Sequence, residues 1–190
     1  MLPLMFGLQQ LLEGGVWVAL MHGEDATAHR LALGFLLFSH VYWLGWIAYS
    51  SFLTETSPRL KYIFALITFI GVLFGASMYV PLLFKPEWLT ATIVLHSISY
   101  DMYFFSDAYV SQRILTAFYA CVILVPLMLS SDRFHSMLGV LVLLSGLITW
   151  AFFDWVFVSV WCYFAAIISL YIFFMIARSV RASHLPGIAR

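Results

Sequence analysis

Polar side chains that can do chemistry stand inside stretches of this chain that are otherwise apolar. The first stretch, residues 2–21, contains Gln9, Gln10 and Glu13, and a second contains His40 near its middle. A carboxylate and an imidazole can exchange protons, bind cations or ligate metal ions. A charged carboxylate at the centre of a bilayer costs at least ~2.5 kcal/mol, so ionisable groups in such stretches usually serve a function.

Helical geometry places the polar groups of the first stretch on one face. At 100° per residue, one arc of about 100° holds five side chains: Phe6, Gln9, Gln10, Glu13 and Trp17. Unpaired polar atoms are expensive in hydrocarbon, so this face must turn toward the interior of a helix bundle. Gly7 and Gly14 flank the arc and are expected to let a neighbouring helix approach closely.

His40 lies on a second face of mixed polar and aromatic character. Ser39, Trp43 and Trp46 share with it an arc of about 120°. Consecutive helices joined by a short loop are usually neighbours, so Glu13 and His40 are expected at similar depth. When two buried titratable groups of opposite charge pair, each offsets the desolvation cost of the other. We therefore predict a contact between carboxylate and imidazole.

The first functional hypothesis is a site for a small ligand, an ion or a proton. Its predicted members are Gln9, Gln10, Glu13, Trp17, His40 and Trp43. Aromatic rings around a carboxylate suit a flat or cationic ligand. Because the sequence shows no inverted repeat and no pair of Pro-broken helices, an accessory or substrate-binding subunit fits better than a self-sufficient transporter. The alternative is structural: a polar contact that fixes helix register, with the aromatic rings as dry packing.

A metal-dependent membrane enzyme is the second hypothesis. It would use a divalent ion such as Zn²⁺ to activate water against a lipid or another apolar substrate. The predicted ligands are Glu13, His40, His96 and Asp154. The chain lacks an HExxH motif, so these ligands would come from separate elements. A third hypothesis is a subunit of a larger membrane complex, in which His40 or His96 ligates haem or a pigment.

Small side chains at helical spacing mark the last apolar stretch: Ser159, Cys162, Ala166 and Ser169. Such a stripe usually forms a packing seam between membrane helices. Cys162 and the other cysteine, Cys121, both lie in apolar runs, and we interpret them as small packing residues.

Composition indicates the class of protein that carries these groups. Of 190 residues, 64% are hydrophobic and 9% are charged, whereas soluble domains carry roughly 25% charged residues. The formal net charge is zero, which gives no reason to expect a nucleic-acid partner. We predict an all-α polytopic bundle in a lipid bilayer, formed as a single domain over residues 1–190. Its six predicted transmembrane helices cover residues 2–21, 31–53, 62–84, 114–130, 134–153 and 155–177.

One connection, at about residues 85–113, is much longer than the others. Residues 90–100 are rich in β-branched side chains that partly alternate with polar ones. This pattern predicts strand pairing or an irregular cap. Its apolar content implies that the segment packs onto the outer mouth of the bundle.

Basic residues predict the orientation of the chain, since they concentrate on the cytoplasmic side of a membrane. Six spans put both termini on one side. The basic residues of that side are Arg59, Lys61, Arg133, Arg178, Arg181 and Arg190. Those of the other side are Arg30, Lys85 and Arg113. Both termini are therefore predicted to be cytoplasmic, with the long connection outside.

Two stretches resemble motifs of an uncharacterised bacterial family of small polytopic membrane proteins. Residues 6–14 read Phe-Gly-Leu-Gln-Gln-Leu-Leu-Glu-Gly, which is similar to the family's Phe-Gly-x-Gln-Gln-x-x-Glu-Gly opening. Residues 159–166 read Ser-Val-Trp-Cys-Tyr-Phe-Ala-Ala, which is similar to its closing motif, with Tyr163 in place of a Phe. The resemblance implies a multi-pass protein of the bacterial inner membrane. It ties the first and last helices to one shared feature and implies no particular activity.

Overall fold

Six helical rods and one β-hairpin make up the part of the chain that the computed structural model describes, residues 2–103, 112–152 and 156–183. The rods are α1 (Leu2–Met21), a continuous helix (Asp25–Thr54), α4 (Pro58–Phe84), α5 (Gln112–Leu129), α6 (Arg133–Phe152) and α7 (Phe157–Ser183). The continuous helix consists of α2 (Asp25–Leu36), a π-helical turn (Leu37–Tyr42) and α3 (Trp43–Thr54). The six helices expected from the sequence are confirmed.

Four of these rods are long and apolar enough to cross a membrane: α1, the continuous helix, α4 and α6. Shorter apolar stretches lie in α5, at Ile114–Leu129, and in α7, at Phe157–Tyr171. The helix limits differ from the predicted ones mainly at helix starts. α4 begins at Pro58, earlier than predicted. Backbone N–H groups in the first turn of a helix have no acceptor within the helix, so proline, which lacks the N–H, loses no hydrogen bond there.

Successive rods run antiparallel. Gly71 of α4 packs on the backbone of Leu44, and Gly75, one turn further along α4, packs on the backbone of His40. The start of α1, the α3–α4 loop and the α5–α6 loop therefore share one end of the bundle, which we call the terminal end. The α1–α2 loop and the β-hairpin lie at the other end, which we call the hairpin end.

Two glycines of α4 allow it to touch the π-helical turn and α3 backbone to backbone. A Cβ atom on Gly71 would lie 2.6 Å from a carbonyl oxygen of α3, and one on Gly75 would collide with the carbonyl oxygen of His40. Glycines four residues apart share one helix face, which is how membrane helices approach most closely. At Gly7 and Gly14 a Cβ would meet nothing within 4 Å, so the close approach expected there is wrong.

The long connection folds into a hairpin of β1 (Leu89–Val94) and β2 (Ser97–Met102). The strands are antiparallel, with Leu89 opposite Met102. The turn between them contains Leu95 at a positive φ of 56°. Buried side chains of both strands pack with residues of α1, α2, α4 and α7. The predicted strand pairing and its packing on the mouth of the bundle are confirmed, while residues 104–111 of the predicted cap lie outside the described residues.

The outer faces of all six rods carry large apolar side chains. Examples, each more than 40% exposed, are Leu11, Leu53, Phe69, Phe118, Trp150 and Phe173. A soluble monomer rarely exposes apolar surface on this scale, whereas hydrocarbon accepts it. The exterior of the bundle is therefore compatible with a membrane protein.

Glu55 ties two loops together at the terminal end. Its buried carboxylate follows α3 and accepts hydrogen bonds from the backbone N–H groups of Thr56 and Ser57, at 2.8 and 2.9 Å. It also accepts one from the backbone N–H of Ser131, in the α5–α6 loop, at 2.9 Å. The backbone donors, led by Ser131, lower the pKa of Glu55 to about 2, because hydrogen bonds to a carboxylate favour its charged form.

Candidate functional site

The amide of Gln9 joins three helices at mid-depth of the bundle. Its Oε1 accepts a hydrogen bond of 2.7 Å from the indole nitrogen of Trp43 on α3. Its Nε2 donates one of 3.3 Å to the sulfur of Cys162 on α7. Phe6, one turn earlier in α1, stacks on the Trp43 ring with centroids 3.8 Å apart. We call Gln9, Trp43 and Cys162 the Gln9 layer.

Glu13 lies one turn beyond this layer, toward the hairpin end. The carboxylate is buried, with 9% of the residue exposed. Its Oε2 accepts a hydrogen bond of 3.2 Å from the Gln10 amide, and the Ser159 hydroxyl of α7 faces the same carboxylate. Its other oxygen, Oε1, accepts no hydrogen bond from any described residue. Oε1 is thus a buried acceptor without a hydrogen bond of good geometry, although the Ser159 hydroxyl stands close to the group.

The β-hairpin sends Tyr100 into the same region. The ring stacks on Phe35 of α2, with centroids 4.9 Å apart. Its hydroxyl is buried and has no hydrogen-bond partner among the described residues. Burial raises the pKa of the Tyr100 phenol above its usual value, and the nearby Glu13 carboxylate and Cys162 thiol raise it further. Gln10, Glu13, Tyr100 and Ser159 together form what we call the Glu13 cluster.

The predicted contact between Glu13 and His40 is wrong. Both residues are described, and neither a hydrogen bond nor an ion pair joins them. The imidazole Nδ1 of His40 instead lies 2.9 Å from the Ser39 hydroxyl. The ring of Tyr119 on α5 stands 6.2 Å away, and its hydroxyl donates to the Ser39 carbonyl. His40 therefore belongs to a packing contact with α4 and α5.

The physical reason is the π-helical turn, which contains His40. A π-helix closes i→i+5 hydrogen bonds in place of i→i+4. The direction of the His40 side chain, calculated at 3.6 residues per turn, is therefore not the direction that it has in the π-helical turn. Nothing in the sequence signals this turn.

The predicted metal ligands do not come together. Among the residues that the structure describes, no three His, Cys, Asp or Glu side chains are grouped closely enough to hold a metal ion. His96 is exposed at the tip of the hairpin, His40 is enclosed at the π-helical turn, and Asp154 lies outside the described residues. The three members of the predicted ligand set that the structure describes, Glu13, His40 and His96, thus do not form one centre.

Sequence analysis located part of the Glu13 cluster and missed the rest. Gln10 and Glu13 were predicted site residues and are bonded to each other. Gln9 and Trp43, also predicted for the site, are bonded to each other in the adjoining Gln9 layer. Trp17 is half-buried and packs with the hairpin-end core. Tyr100 was missed because it stands on the hairpin. Ser159 and Cys162 were predicted to belong to a packing seam. They lie against α1, where Cys162 contacts Gln9 and Ser159 faces Glu13, so the two motif stretches of the chain meet here.

Comparison with known proteins places the chain in a family. The model of a family of unknown function, DUF6629, matches residues 1–186. The chain belongs to this family. No curated protein and no solved structure matches it.

The side chains of the Glu13 cluster are suited to binding a group that donates hydrogen bonds or carries positive charge. Oε1 of Glu13 is an acceptor, and the group carries negative charge when it is ionised. The hydroxyls of Tyr100 and Ser159 can each donate and accept. Such a set can bind a proton, a cation or the donor group of a small polar molecule. Its aromatic side, Tyr100 stacked on Phe35, excludes water and strengthens charge interactions.

Proposed function

We propose that this protein is an integral membrane protein that binds a small ligand, an ion or a proton at the Glu13 cluster. The observation that supports the proposal is the Oε1 atom of Glu13, which is buried and accepts no hydrogen bond from the described residues. Leaving a buried acceptor unpaired costs about 1–3 kcal/mol, more for a charged group. A bound group with hydrogen-bond donors or positive charge removes that cost.

Each member of the cluster has a distinct part in this binding. Glu13 supplies the charge, and Gln10 fixes the orientation of the carboxylate through its bond to Oε2. Ser159 of α7 offers its hydroxyl to the carboxylate, and the Tyr100 phenol of the hairpin is near enough to interact with it electrostatically. Gln9 closes the terminal side through its bonds to Trp43 and Cys162.

We infer that the setting is the inner membrane of a bacterium, crossed six times, with both termini in the cytoplasm. The supports are the four long apolar helices, the distribution of basic residues along the sequence and the family resemblance of the two motif stretches. An accessory or substrate-binding subunit of a transport system fits a chain of this size without sequence repeats. Such a role implies a membrane-protein partner.

Calorimetric titration of the purified protein with methylammonium chloride tests the binding proposal. Methylammonium carries positive charge and hydrogen-bond donors in a small volume. We expect Glu13→Gln to weaken its binding about 10- to 100-fold, which corresponds to the loss of one hydrogen bond to a charged group. Tyr100→Phe, which removes a neutral hydroxyl, is expected to weaken it about 2- to 10-fold.

Two controls separate a specific site from nonspecific attraction. Glu24→Gln changes an exposed carboxylate in the α1–α2 loop and is expected to leave the titration unchanged. Choline chloride carries the same charge in a larger volume and is expected to bind more weakly than methylammonium. Equal heats for the wild type and Glu13→Gln would show that the carboxylate is a structural contact.

A further inference from the structure

A cavity lies at the terminal side of the Gln9 layer. It is a cleft of about 350 Å³ between α1, α3, α5, α6 and α7. Its walls are mainly aromatic and aliphatic, and they include Phe6, Trp46, Tyr119, Phe134 and Trp161. Pockets for small organic molecules begin at about 300 Å³ and are lined in this way.

The cleft is separate from the Glu13 cluster. Trp43 and Cys162 line its inner end, and both are held by the amide of Gln9. Glu13 lies beyond that amide and is not part of the lining. Charge at Glu13 is therefore not offered to a molecule in the cleft.

Polar groups of the lining stand near the terminal end. His135 lies in the first turn of α6, and Ser50 lies in the last turns of α3. Ser169 of α7 lies at about the height of His135 along the bundle. The hydrogen bond from the Trp161 indole to the Val142 carbonyl relates the heights of α7 and α6. His135 is seven residues from Val142 and Ser169 eight from Trp161, so each is about 10–12 Å from that bond in the terminal direction.

These polar atoms are set up mainly to accept hydrogen bonds. The Ser50 hydroxyl donates to the Ile47 carbonyl at 2.9 Å, and the Ser169 hydroxyl donates to the Ala166 carbonyl at 2.8 Å. Each serine oxygen therefore keeps lone pairs for a ligand. The imidazole Nδ1 of His135 lies 2.7 Å from a carboxylate oxygen of Asp132.

A carboxylate only accepts hydrogen bonds, so the hydrogen of His135 is on Nδ1. Nε2 is then an acceptor in the neutral ring and a donor in the charged ring. A hydroxyl group suits either form of this histidine: it donates its one hydrogen to the neutral ring, or it accepts from the charged ring and donates to one serine oxygen. A carboxylate cannot donate to Ser50 or Ser169, and an ammonium cannot accept from a charged His135.

We propose that the cleft binds a single-chain amphiphile with a hydroxyl head group, such as a medium-length primary alcohol. The apolar walls take the alkyl chain, and the hydroxyl pairs with His135 through its lone pair or its single hydrogen. When it accepts from the charged ring, its hydrogen is free for one serine oxygen, that of Ser50 or of Ser169. The chain then points from the end of the helices toward their middle, as a lipid chain does in a membrane. This site is additional to the Glu13 cluster and does not depend on the function proposed for it.

Photo-crosslinking of the full protein in phosphatidylcholine nanodiscs tests the proposal. The probe is a decanol that carries a diazirine in its alkyl chain, and labelled peptides are located by mass spectrometry. We expect labels on α3 near Trp46 and on α7 between Trp161 and Phe173. Excess decanol is expected to remove them, whereas excess decanoic acid, decylamine or decane is not.

Two variants report on head group and chain separately. His135→Leu is expected to raise the decanol concentration that halves labelling about 2- to 10-fold, as for one neutral hydrogen bond. Ala165→Phe, in the wall of the cleft, is expected to abolish labelling by filling the space. His22→Leu is the matched control, since His22 is exposed at the hairpin end.

Labelling that decane removes as well as decanol would overturn the proposal, because it would report only partition into an apolar space. Stronger competition by decanoic acid or decylamine would overturn the assignment of the head group. Labels spread over the outer faces of all helices would show contact with bulk lipid alone. If His135→Leu does not fold, Ala165→Phe and the competition series still decide the matter.

Discussion

At the scale of the residue, Gln9 is the side chain on which the interior of the bundle depends most. It is fully buried and bonds to two other helices through both ends of its amide. A polar group in an apolar interior is tolerated only when its partners are in place. Because Trp43 and Cys162 each rely on this amide, its loss leaves a buried indole N–H without an acceptor.

We therefore predict that Gln9→Leu, which keeps the volume, lowers the free energy of unfolding by about 1–3 kcal/mol. The measurement is thermal or denaturant unfolding of the purified protein in detergent. Ser77→Ala is the control, because Ser77 is exposed and its hydroxyl bonds within its own helix. A stability of Gln9→Leu equal to that of the control would contradict the account of the layer.

Glu55 leads to a prediction on pH. Its pKa is about 2 in the folded protein against an ordinary value of 4.5. The depressed value means that the charged carboxylate stabilises the fold fully above about pH 4.5, and that this contribution is lost as pH falls toward 2. Glu55→Gln removes the charge at every pH.

We expect Glu55→Gln to unfold at a lower temperature than the wild type at pH 7, with the difference shrinking as pH falls below 4.5. Unfolding temperatures of the two proteins measured from pH 7 to pH 3 provide the test. A constant difference across that range would mean that the two loops are not held by the charge of Glu55.

Residue types predicted the position of Glu13 correctly but could not predict its surroundings. A carboxylate in an apolar helix had to face inward, and it does. Its neighbours come from the last helix and from a hairpin more than eighty residues away in sequence, and helical spacing carries no information on such contacts. Tyr100 could therefore not be predicted as a site residue, although strand pairing was predicted for its segment.

At the scale of the element, the contact between α4 and the π-helical turn fixes the centre of the bundle. Gly75 packs on the backbone of the turn at His40, and Gly71 packs on the backbone of α3 just beyond it, at Leu44. Apolar length was enough to predict each helix. It could not predict the turn, because π-helical turns have no composition of their own and are set by packing.

We predict that Gly75→Ala destabilises the protein strongly, because its Cβ would meet the backbone oxygen of His40 and backbone cannot move aside as a side chain can. Gly14→Ala is the matched control. It adds the same methyl group to an exposed helix position where nothing lies within 4 Å. The yield of monodisperse protein and its unfolding temperature are the measurements. Equal behaviour of the two variants would contradict the close packing.

At the scale of the whole molecule, the interiors of the two ends of the bundle differ in chemistry. The hairpin end closes over the Glu13 cluster, and the terminal end opens into the aromatic cleft. The Gln9 layer lies between them. A protein that separates two buried sites in this way can hold a polar group on one side and an apolar chain on the other.

The proposed orientation predicts that the two ends face opposite sides of the membrane. Single cysteines at Thr56, in the α3–α4 loop, and at His96, at the tip of the hairpin, mark these ends in a variant without Cys121 and Cys162. In intact cells, we expect a membrane-impermeant maleimide to label the His96→Cys protein alone. Labelling of Thr56→Cys alone would reverse the orientation, and labelling of both would contradict the membrane crossing of α4, which lies between the two positions.

The central claim is that the Glu13 carboxylate binds a group from outside the chain. An infrared difference spectrum, taken with and without methylammonium chloride, observes that carboxylate itself. We predict a shifted carboxylate band in the wild type that is absent from Glu13→Gln and retained in Glu24→Gln. The same difference bands in the wild type and Glu13→Gln, or none in either, would contradict the claim and leave Glu13 as a structural contact between helices.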